Sequence, residues 1–278
     1  MTDLATRYGK WALVAGASEG LGAAIANAYA AEGLNLVLLA RRQALLDERA
    51  AALAKAHGVE VRTLAIDLGA PDVWERLAPV VDDIEVGLFV YNAAYEAQGR
   101  FLETDLAAHL AGIDVNCRTP AILTWHLGRR MVARGRGSIV LNTSFGALQG
   151  MQWFASYSAS KAYEWILAEG LWDELREHGV DVLAYVVGST LTPNFFASNP
   201  DAATPAFLAA NPMAQTPEEV AQALLRVLDQ GPRAFTGPEY ERTAAAFAQM
   251  RRAEAVTIMG QRARSLGRAG QPSNRRSA

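Results

Sequence analysis

The sequence predicts an α/β protein built on one doubly wound, Rossmann-type parallel sheet of seven strands with helices on both faces. Three observations predict it. Short apolar runs alternate with stretches of helical periodicity over most of the 278 residues, the order that a sheet covered by crossover helices requires. No internal repeat, low-complexity linker or long Pro/Gly/Ser tract interrupts the alternation before the C-terminal tail. A glycine-rich turn also follows the first strand directly, where a parallel sheet opens its ligand crevice.

The first strand is read at 11–15, a uniformly apolar run. Arg7 and Lys10 precede it as basic residues precede a signal peptide, but the apolar stretch stops at Ser18 and Glu19, too early for one. A helix over 20–31 and a strand at 35–40 follow, then a helix over 43–57, a strand at 60–66 and a helix over 71–81 opened by Pro71. Next come a strand at 87–91, a helix over 106–113 running on towards 134, and a strand at 138–142. In the long helix over 157–178, Ala159, Ala162, Ile166, Gly170 and Leu171 recur at helical spacing, and His178 with Gly179 supplies a C-terminal cation and a stop. Trp165 and Trp172, seven apart, form a stripe that either a partner subunit or the deep core would bury. A strand at 181–187, a helix over 217–230 and a short strand at 234–236 complete the sheet. Residues 190–216 break the alternation with Pro193, Pro200, Pro205 and Pro212 among Phe195, Phe196, Phe207 and Met213, and irregular segments of that length usually cover or line a site. The spacing over 243–264 suits an amphipathic helix packed on a neighbour, with disorder expected from about Ser265. Residues 1–250 are thus read as one domain including the loop 190–216, and 251–278 as an Arg-rich, partly disordered extension.

Composition narrows the classes. With 51% apolar and 20% charged residues, the chain has enough apolar surface to offset the entropy of folding, which rules out dominant disorder. No apolar run approaches the roughly 18 residues of a membrane span. The single Cys117 excludes a disulfide framework, and His57, His109, His126 and His178 lack metal-ligand spacing. A soluble, cytoplasmic, metal-free protein is expected. The net charge of −3 divides unevenly: seven arginines against Glu254 give 251–278 a charge of +6, leaving −9 on the body. That body repels nucleic acid, and the basic tail reads either as a solvated end or as a phosphate-backbone contact.

After the first strand the chain reads Val14-Ala15-Gly16-Ala17-Ser18-Glu19-Gly20-Leu21-Gly22. Glycines at 16, 20 and 22 allow a sharp turn, close approach of backbone to a pyrophosphate, and tight packing of the new helix, whose first amides then face an anion. The same residues would also make a ligand-free turn. With G-x-x-x-G-x-G spacing at this position, the chain resembles the short-chain dehydrogenase/reductase family over roughly residues 8–240. That resemblance implies NAD or NADP as cofactor, with Gly16, Ser18, Glu19, Gly20, Leu21 and Gly22 around its phosphates. Family members that take NAD hold the ribose hydroxyls with an acid at the end of the second strand. Here that strand ends in Arg41 and Arg42, which suit a 2′-phosphate through charge-assisted bonds or form a solvated cationic loop. NADP(H) is therefore expected over NAD(H), with Ser18 as a second phosphate contact. Asp67-Leu68 resembles the family's adenine-contacting pair, or is an ordinary turn aspartate. Asn92-Ala93 keeps the centre of the family's Asn-Asn-Ala-Gly, with Ala94 departing from it. Gly188, Thr190 and Thr192 match the segment that meets the nicotinamide carboxamide, with Val187 replacing the usual proline.

Tyr157-Ser158-Ala159-Ser160-Lys161 places a phenol and an ammonium four residues apart on one helical face, where the cation can stabilise phenolate. Thirteen residues earlier, the buried run 137–144 delivers Ser144 to the carboxyl edge of the sheet. Asn116, an amide inside a helix, competes with the backbone for hydrogen bonds and so calls for a reason. By resemblance these are the catalytic four: Tyr157 as acid/base, Lys161 beside it, Ser144 on the substrate oxygen and Asn116 supporting a water that links the lysine to solvent. The implied reaction is hydride transfer between nicotinamide and a carbonyl or secondary alcohol. Substrate contacts are expected from Ser144, Phe145, Trp153, Tyr157, Phe195 and Phe196, whose character favours an apolar steroid, alicyclic, aromatic or 3-ketoacyl substrate over a sugar or an acid; the aromatics also read as plain core. The alternatives are a catalytically silent dinucleotide-binding regulator and an epimerase or dehydratase that keeps its cofactor. The resemblance further implies a homodimer or homotetramer paired through the helices near 120–134 and 157–178.

Overall fold

Seven strands, β1 Trp11–Ala15, β2 Asn35–Ala40, β3 Val61–Ala65, β4 Val86–Tyr91, β5 Gly137–Ser144, β6 Val180–Val187 and β7 Arg233–Phe235, form one parallel sheet in the order β3-β2-β1-β4-β5-β6-β7. The computed structural model describes residues 3–198, 204, 208, 209 and 211–263. Every residue of β1 and β4 is buried, so both lie at the centre of the sheet. Their carboxyl ends flank the point where the strand order reverses, and there the crevice opens.

Alternate residues feed two cores. Leu13, Val37, Leu39, Phe89, Ile139 and Val182 face one layer, and Ala12, Val14, Leu36, Leu38, Val90, Val140 and Leu183 face the other. The first layer contains α4 Val73–Val81, α6 Thr119–Arg134 and α7 Ala155–Leu175, and the second α2 Gly20–Ala31, α3 Gln43–His57 and α9 Pro217–Leu225. The last of these starts from a capping box between Thr216 and Glu219. Helix α1 Leu4–Tyr8, unexpected from the sequence, is capped by Asp3 and buries Tyr8, whose hydroxyl donates to Asp181 at 2.8 Å.

Three expectations change. The helix read from 106 towards 134 is divided: α5 Leu106–Ile113 meets a wide π turn at 114–118, and α6 begins beyond it with Pro120 in its first turn. The segment after residue 187 pairs Thr190 with Gln215 and carries a short helix, α8 Pro193–Ser198; Pro200, Pro205 and Phe207 lie outside the described residues. The single helix expected over 243–264 is two, α10 Pro238–Gln249 and α11 Arg252–Ala263, with Met250 extended between them. Helix α11 folds back on its own chain. Ala255 and Met259 enter the first core, the Gln152 amide donates to Gly260 O at 3.1 Å and Arg252 to Leu148 O at 3.0 Å. A boundary after residue 250 therefore cuts through packed structure, because arginines in the sequence mask a buried Ala/Met face. Ser265 and the rest of the tail lie outside the described residues.

Candidate active site

The glycine turn is built by close approach. Gly16 has φ +81°, and its amide and that of Ala17 donate to Leu39 O at 2.8 and 3.1 Å. A Cβ on Gly22 would lie 1.9 Å from Gly16 O, so only glycine lets α2 begin against the strand end. Helix α2 starts after Glu19 with no side-chain cap on its first amides, the arrangement that suits an anion. Asn92 ties the turn to β4: its amide N–H donates to Ala15 O at 3.0 Å and its side chain to Gly16 O at 3.1 Å, while accepting from the Asn142 side chain at 3.0 Å. Arg42 approaches the buried Ser18 hydroxyl at 3.5 Å and pairs with Glu19 at 2.8 Å. Arg41 is exposed at the end of β2. The Asp67 carboxylate accepts from the Gly69 amide at 2.9 Å and Leu68 is buried, with its carbonyl held by Thr119, so this pair at least closes a turn. An uncapped helix start and a cradle that a Cβ would fill suit a dinucleotide.

Strand β5 ends at Ser144, whose Oγ accepts from the Gly146 amide at 3.1 Å and retains its own hydrogen for a substrate oxygen. Helix α7 begins two residues before Tyr157 and is tied to β5 where Thr143 Oγ donates to Lys161 O at 2.6 Å. Tyr157 and Ser144 stand on the wall of a cleft of about 290 Å³ that also takes in Gly16, Glu19, Gly20, Leu21, Asn92, Gly188, Thr190 and Thr192. These members of the sequence-predicted set thus meet in one crevice, whereas Ser18, Gly22, Arg41 and Arg42 are not on its wall. Lys161 lies behind this wall, only 2% exposed, with Nζ donating to Asn142 O at 2.9 Å and to both carboxylate oxygens of Glu164 at 3.0 and 2.8 Å.

Asn116 sits in the π turn, a distortion common at functional sites. Its amide accepts from Tyr95 N at 2.7 Å and donates to Tyr95 O and Ser160 Oγ, both at 2.8 Å; Ser160 in turn donates to Tyr157 O at 2.9 Å. Asn116, whose expected role was to support a water linking Lys161 to solvent, locks the loop after β4 to the first turn of α7. Ala93 is buried beneath Gly16.

The substrate residues divide. Phe145 and Phe195 are buried and line the cleft, with Phe145 packed 5.4 Å from the Tyr240 ring. Trp153 does not line it. Its backbone is left-handed at φ +70°, its ring lies beneath Arg100, and its carbonyl holds Gly99 N at 2.9 Å, so it braces the loop after β4. Phe196, next to the wall residue Phe195, turns outward and is 37% exposed. Trp165 and Trp172, expected on a stripe, pack with the first core, and the exposed apolar residues of α7 are Tyr163 and Ile166.

Several residues of the site escaped the sequence reading. Tyr240 on α10 accepts from Ser189 N at 2.8 Å and donates to Met213 O at 2.7 Å, fastening Ser189 and Met213 to one hydroxyl. Its phenol is raised by burial against the pull of the Ser189 amide. Met259, Arg262 and Ala263 of α11 complete the wall. Glu164, fully buried, is pushed up to about 7, chiefly by burial and against the pull of Lys161. Its spacing of three from Lys161 and seven from Tyr157 was the one signal available.

Comparison with known proteins follows the same lines. The family model of the short chain dehydrogenases matches residues 10–203. A 7beta-hydroxysteroid dehydrogenase of Clostridium sardiniense is 34% identical over 194 residues, covering 70% of this chain and 74% of the relative. A solved structure from work on 7beta-hydroxysteroid dehydrogenase stereoselectivity superposes with a TM-score of 0.88 at 28% identity, over 93% of this chain and all of the other. A short-chain dehydrogenase from Sphingobium yanoikuyae, solved with NADPH, gives 0.74 at 27% identity over 87% of this chain and 97% of that one.

Proposed function

The chain belongs to the short chain dehydrogenase family, and from that premise we propose that it is an NADP(H)-dependent oxidoreductase acting on the carbonyl or secondary alcohol of an apolar, bulky substrate such as a hydroxysteroid or another alicyclic ketone. One observation carries the reading: Ser144 and Tyr157 share a cleft wall with the glycine turn and with Gly188, Thr190 and Thr192. When bound, the nicotinamide supplies or accepts the hydride. The Tyr157 phenol gives a proton to the carbonyl oxygen in reduction and takes one from the alcohol in oxidation, and the Ser144 hydroxyl donates to the same oxygen and fixes its position. The Lys161 ammonium steadies the charge that develops on the phenol, and Asn116 holds the helix turn that carries it. Phe145 and Phe195 give the cleft its apolar character. The test is a panel of steroid, alicyclic, aromatic and 3-ketoacyl carbonyls with NADPH, followed by loss of absorbance at 340 nm. Stoichiometric release of NADP+ with a reduced product supports the reading, and binding without turnover across the panel overturns it.

The NADP(H) preference rests on Arg42 and Ser18 at the end of a strand that offers no carboxylate. Glu19 already engages this guanidinium, but an exposed ion pair contributes little and yields to a phosphate. Arg42→Ala is expected to weaken NADPH binding about tenfold, the loss of one charge-assisted contact, and to leave NADH binding unchanged. Fluorescence titration checks both, and equal loss for the two cofactors would remove Arg42 from the phosphate site.

The same reading includes a homodimer or homotetramer paired through α6 and α7. Trp125 and Ile166 are 56% and 66% exposed on this face, beside an apolar groove lined by Gly128, Val132, Leu167 and Leu171. Ile166→Glu is expected to give a monomer in size-exclusion chromatography at micromolar concentration where the parent chain runs as an oligomer. A parent chain that is itself monomeric would sink the assignment. No helix among the described residues is long and apolar enough to cross a membrane, and the single cysteine supports a cytoplasmic location.

A further inference from the structure

Lys161 is among the largest fully buried side chains of the chain, and the three hydrogens of its ammonium meet three acceptors: Asn142 O and the two oxygens of Glu164. Glu164 is itself fully buried, with Lys161 its only hydrogen-bond partner among the described residues. Nothing in the proton and hydride transfers described above requires an acid here, and a buried carboxylate is costly where leucine or alanine would pack. The helix supplies a reason. Positions 157, 161 and 164 share one face, with Glu164 roughly 10 Å along the axis from Tyr157 and Lys161 roughly 6 Å, so the carboxylate holds the ammonium from the side away from the phenol.

We propose that Glu164 is a positioning residue that fixes Lys161 and, by pairing its charge, keeps the Tyr157 phenol less acidic than an unpaired ammonium would, so that the site protonates carbonyls near neutral pH and takes protons from alcohols only in alkaline solution. A lone cation beside a phenol favours phenolate, whereas a cation carrying its own carboxylate at 2.8 Å presents a dipole with a weaker reach. The groups facing the pair from neighbouring elements cannot substitute for Glu164. Tyr91 on β4 is held protonated by burial first and by the Glu164 charge second, with Cys117, Arg118 and Asp67 acting on it more weakly. Cys117 in the π turn is pushed up to about 11, mainly by burial. Asn142 and Thr143 on β5 and Ser160 on α7 carry no charge. Across the neutral range, Glu164 is therefore the group of this cluster whose charge changes, taking up a proton as the pH falls through about 7.

The inference rests on Tyr157 as the proton-transfer group, and its test does not require a known substrate. The full chain and Glu164→Gln are titrated by phenolate absorbance at 295 nm, each with its Tyr157→Phe counterpart subtracted to isolate one phenol among eight. Burial raises six of the other seven phenols, Tyr8, Tyr29, Tyr91, Tyr163, Tyr185 and Tyr240, and the subtraction removes Tyr95 with them. Glu164→Gln is expected to lower the Tyr157 midpoint by about 1 pH unit, a tenfold gain in phenolate. Glu164→Asp, which keeps the charge, is expected to return most of that shift. The pH profile of NADP+-dependent alcohol oxidation moves with the midpoint, and the parent and Glu164→Gln profiles converge below pH 7, where Glu164 is protonated. A Glu164→Gln midpoint equal to or above that of the parent overturns the proposal, as does a loss of rate that is equal at every pH. If Glu164→Gln does not fold, the parent chain decides: a Tyr157 midpoint well below the ordinary value of about 10, at 8 or less, means that the ammonium acts unpaired and overturns the proposal. Absence of turnover on every carbonyl tried, with the phenol shift present, would count against the oxidoreductase reading and leave this one standing.

Discussion

Tyr157→Phe is expected to lower the rate of carbonyl reduction by about a thousandfold or more while leaving NADPH binding unchanged. The substitution removes one oxygen. The ring keeps its edge-on contact with Phe154, 6.5 Å between centroids, and the first turn of α7 keeps the bond from Ser160 to the carbonyl of residue 157. Folding and the cofactor crevice should therefore be intact, and the loss falls on the proton-transfer step, where positioned acid/base groups contribute on the order of 10² to 10⁴. Ser144 is not expected to take over, because its hydroxyl oxygen is already oriented by the Gly146 amide. Single-turnover oxidation of NADPH, read beside a fluorescence titration of the cofactor, separates the two effects. A variant with a tenth of the parent rate would show that the proton comes from elsewhere, and with that the assignment of the cleft would fail.

What could be read from residues alone follows from how local the physics is. The strands were legible because a sheet covered on both faces needs uninterrupted apolar runs, and Trp11–Ala15 and Val86–Tyr91 are uniformly buried. Gly16, Gly22, Tyr157 and Lys161 stood out because the chemistry proposed for them depends on short spacings within one turn or one helix. The misreadings at Trp153, Tyr240 and the C-terminal helix involve contacts between segments far apart in the chain. Trp153 looks like a pocket aromatic until its left-handed backbone turns the ring beneath Arg100. Tyr240 carries no motif, and only the fold brings its hydroxyl between Ser189 and Met213. The C-terminal arginines suggested a solvated end, yet Ala255 and Met259, at helical spacing from Arg252 and Arg262, carry α11 into the core. Asn116 was identified by resemblance, but its work, bracing Tyr95 and Ser160, depends on a π turn that periodicity does not announce.

Lys161→Met is expected to destabilise the fold by about 3–5 kcal/mol in mildly alkaline solution, the cost of leaving one member of a buried ion pair alone. Glu164 would then be fully buried with no ion-pair partner among the described residues, and it can escape only by taking up a proton. The sign follows from linkage. Glu164 is already raised to about 7 in the folded chain, above the value of about 4.3 for a free glutamate, so between these values the folded state binds more protons than the unfolded one. Stability is then fullest below the unfolded value and falls as the pH rises towards the folded one. Removing Lys161 takes away the attraction that opposes burial, moves the folded value further up and widens the window in which stability is lost. The difference in Tm between parent and Lys161→Met should accordingly be small at pH 5 and grow steadily to pH 9. Lys161→Met combined with Glu164→Gln leaves no net charge to bury and should recover most of the loss, since neutral replacement of a buried pair is often tolerated, while turnover stays low because the ammonium is gone. Thermal unfolding of the three variants across this pH range decides the matter. A penalty independent of pH, or a double variant no more stable than the single one, would mean that Lys161 supports the fold by packing and not by its charge.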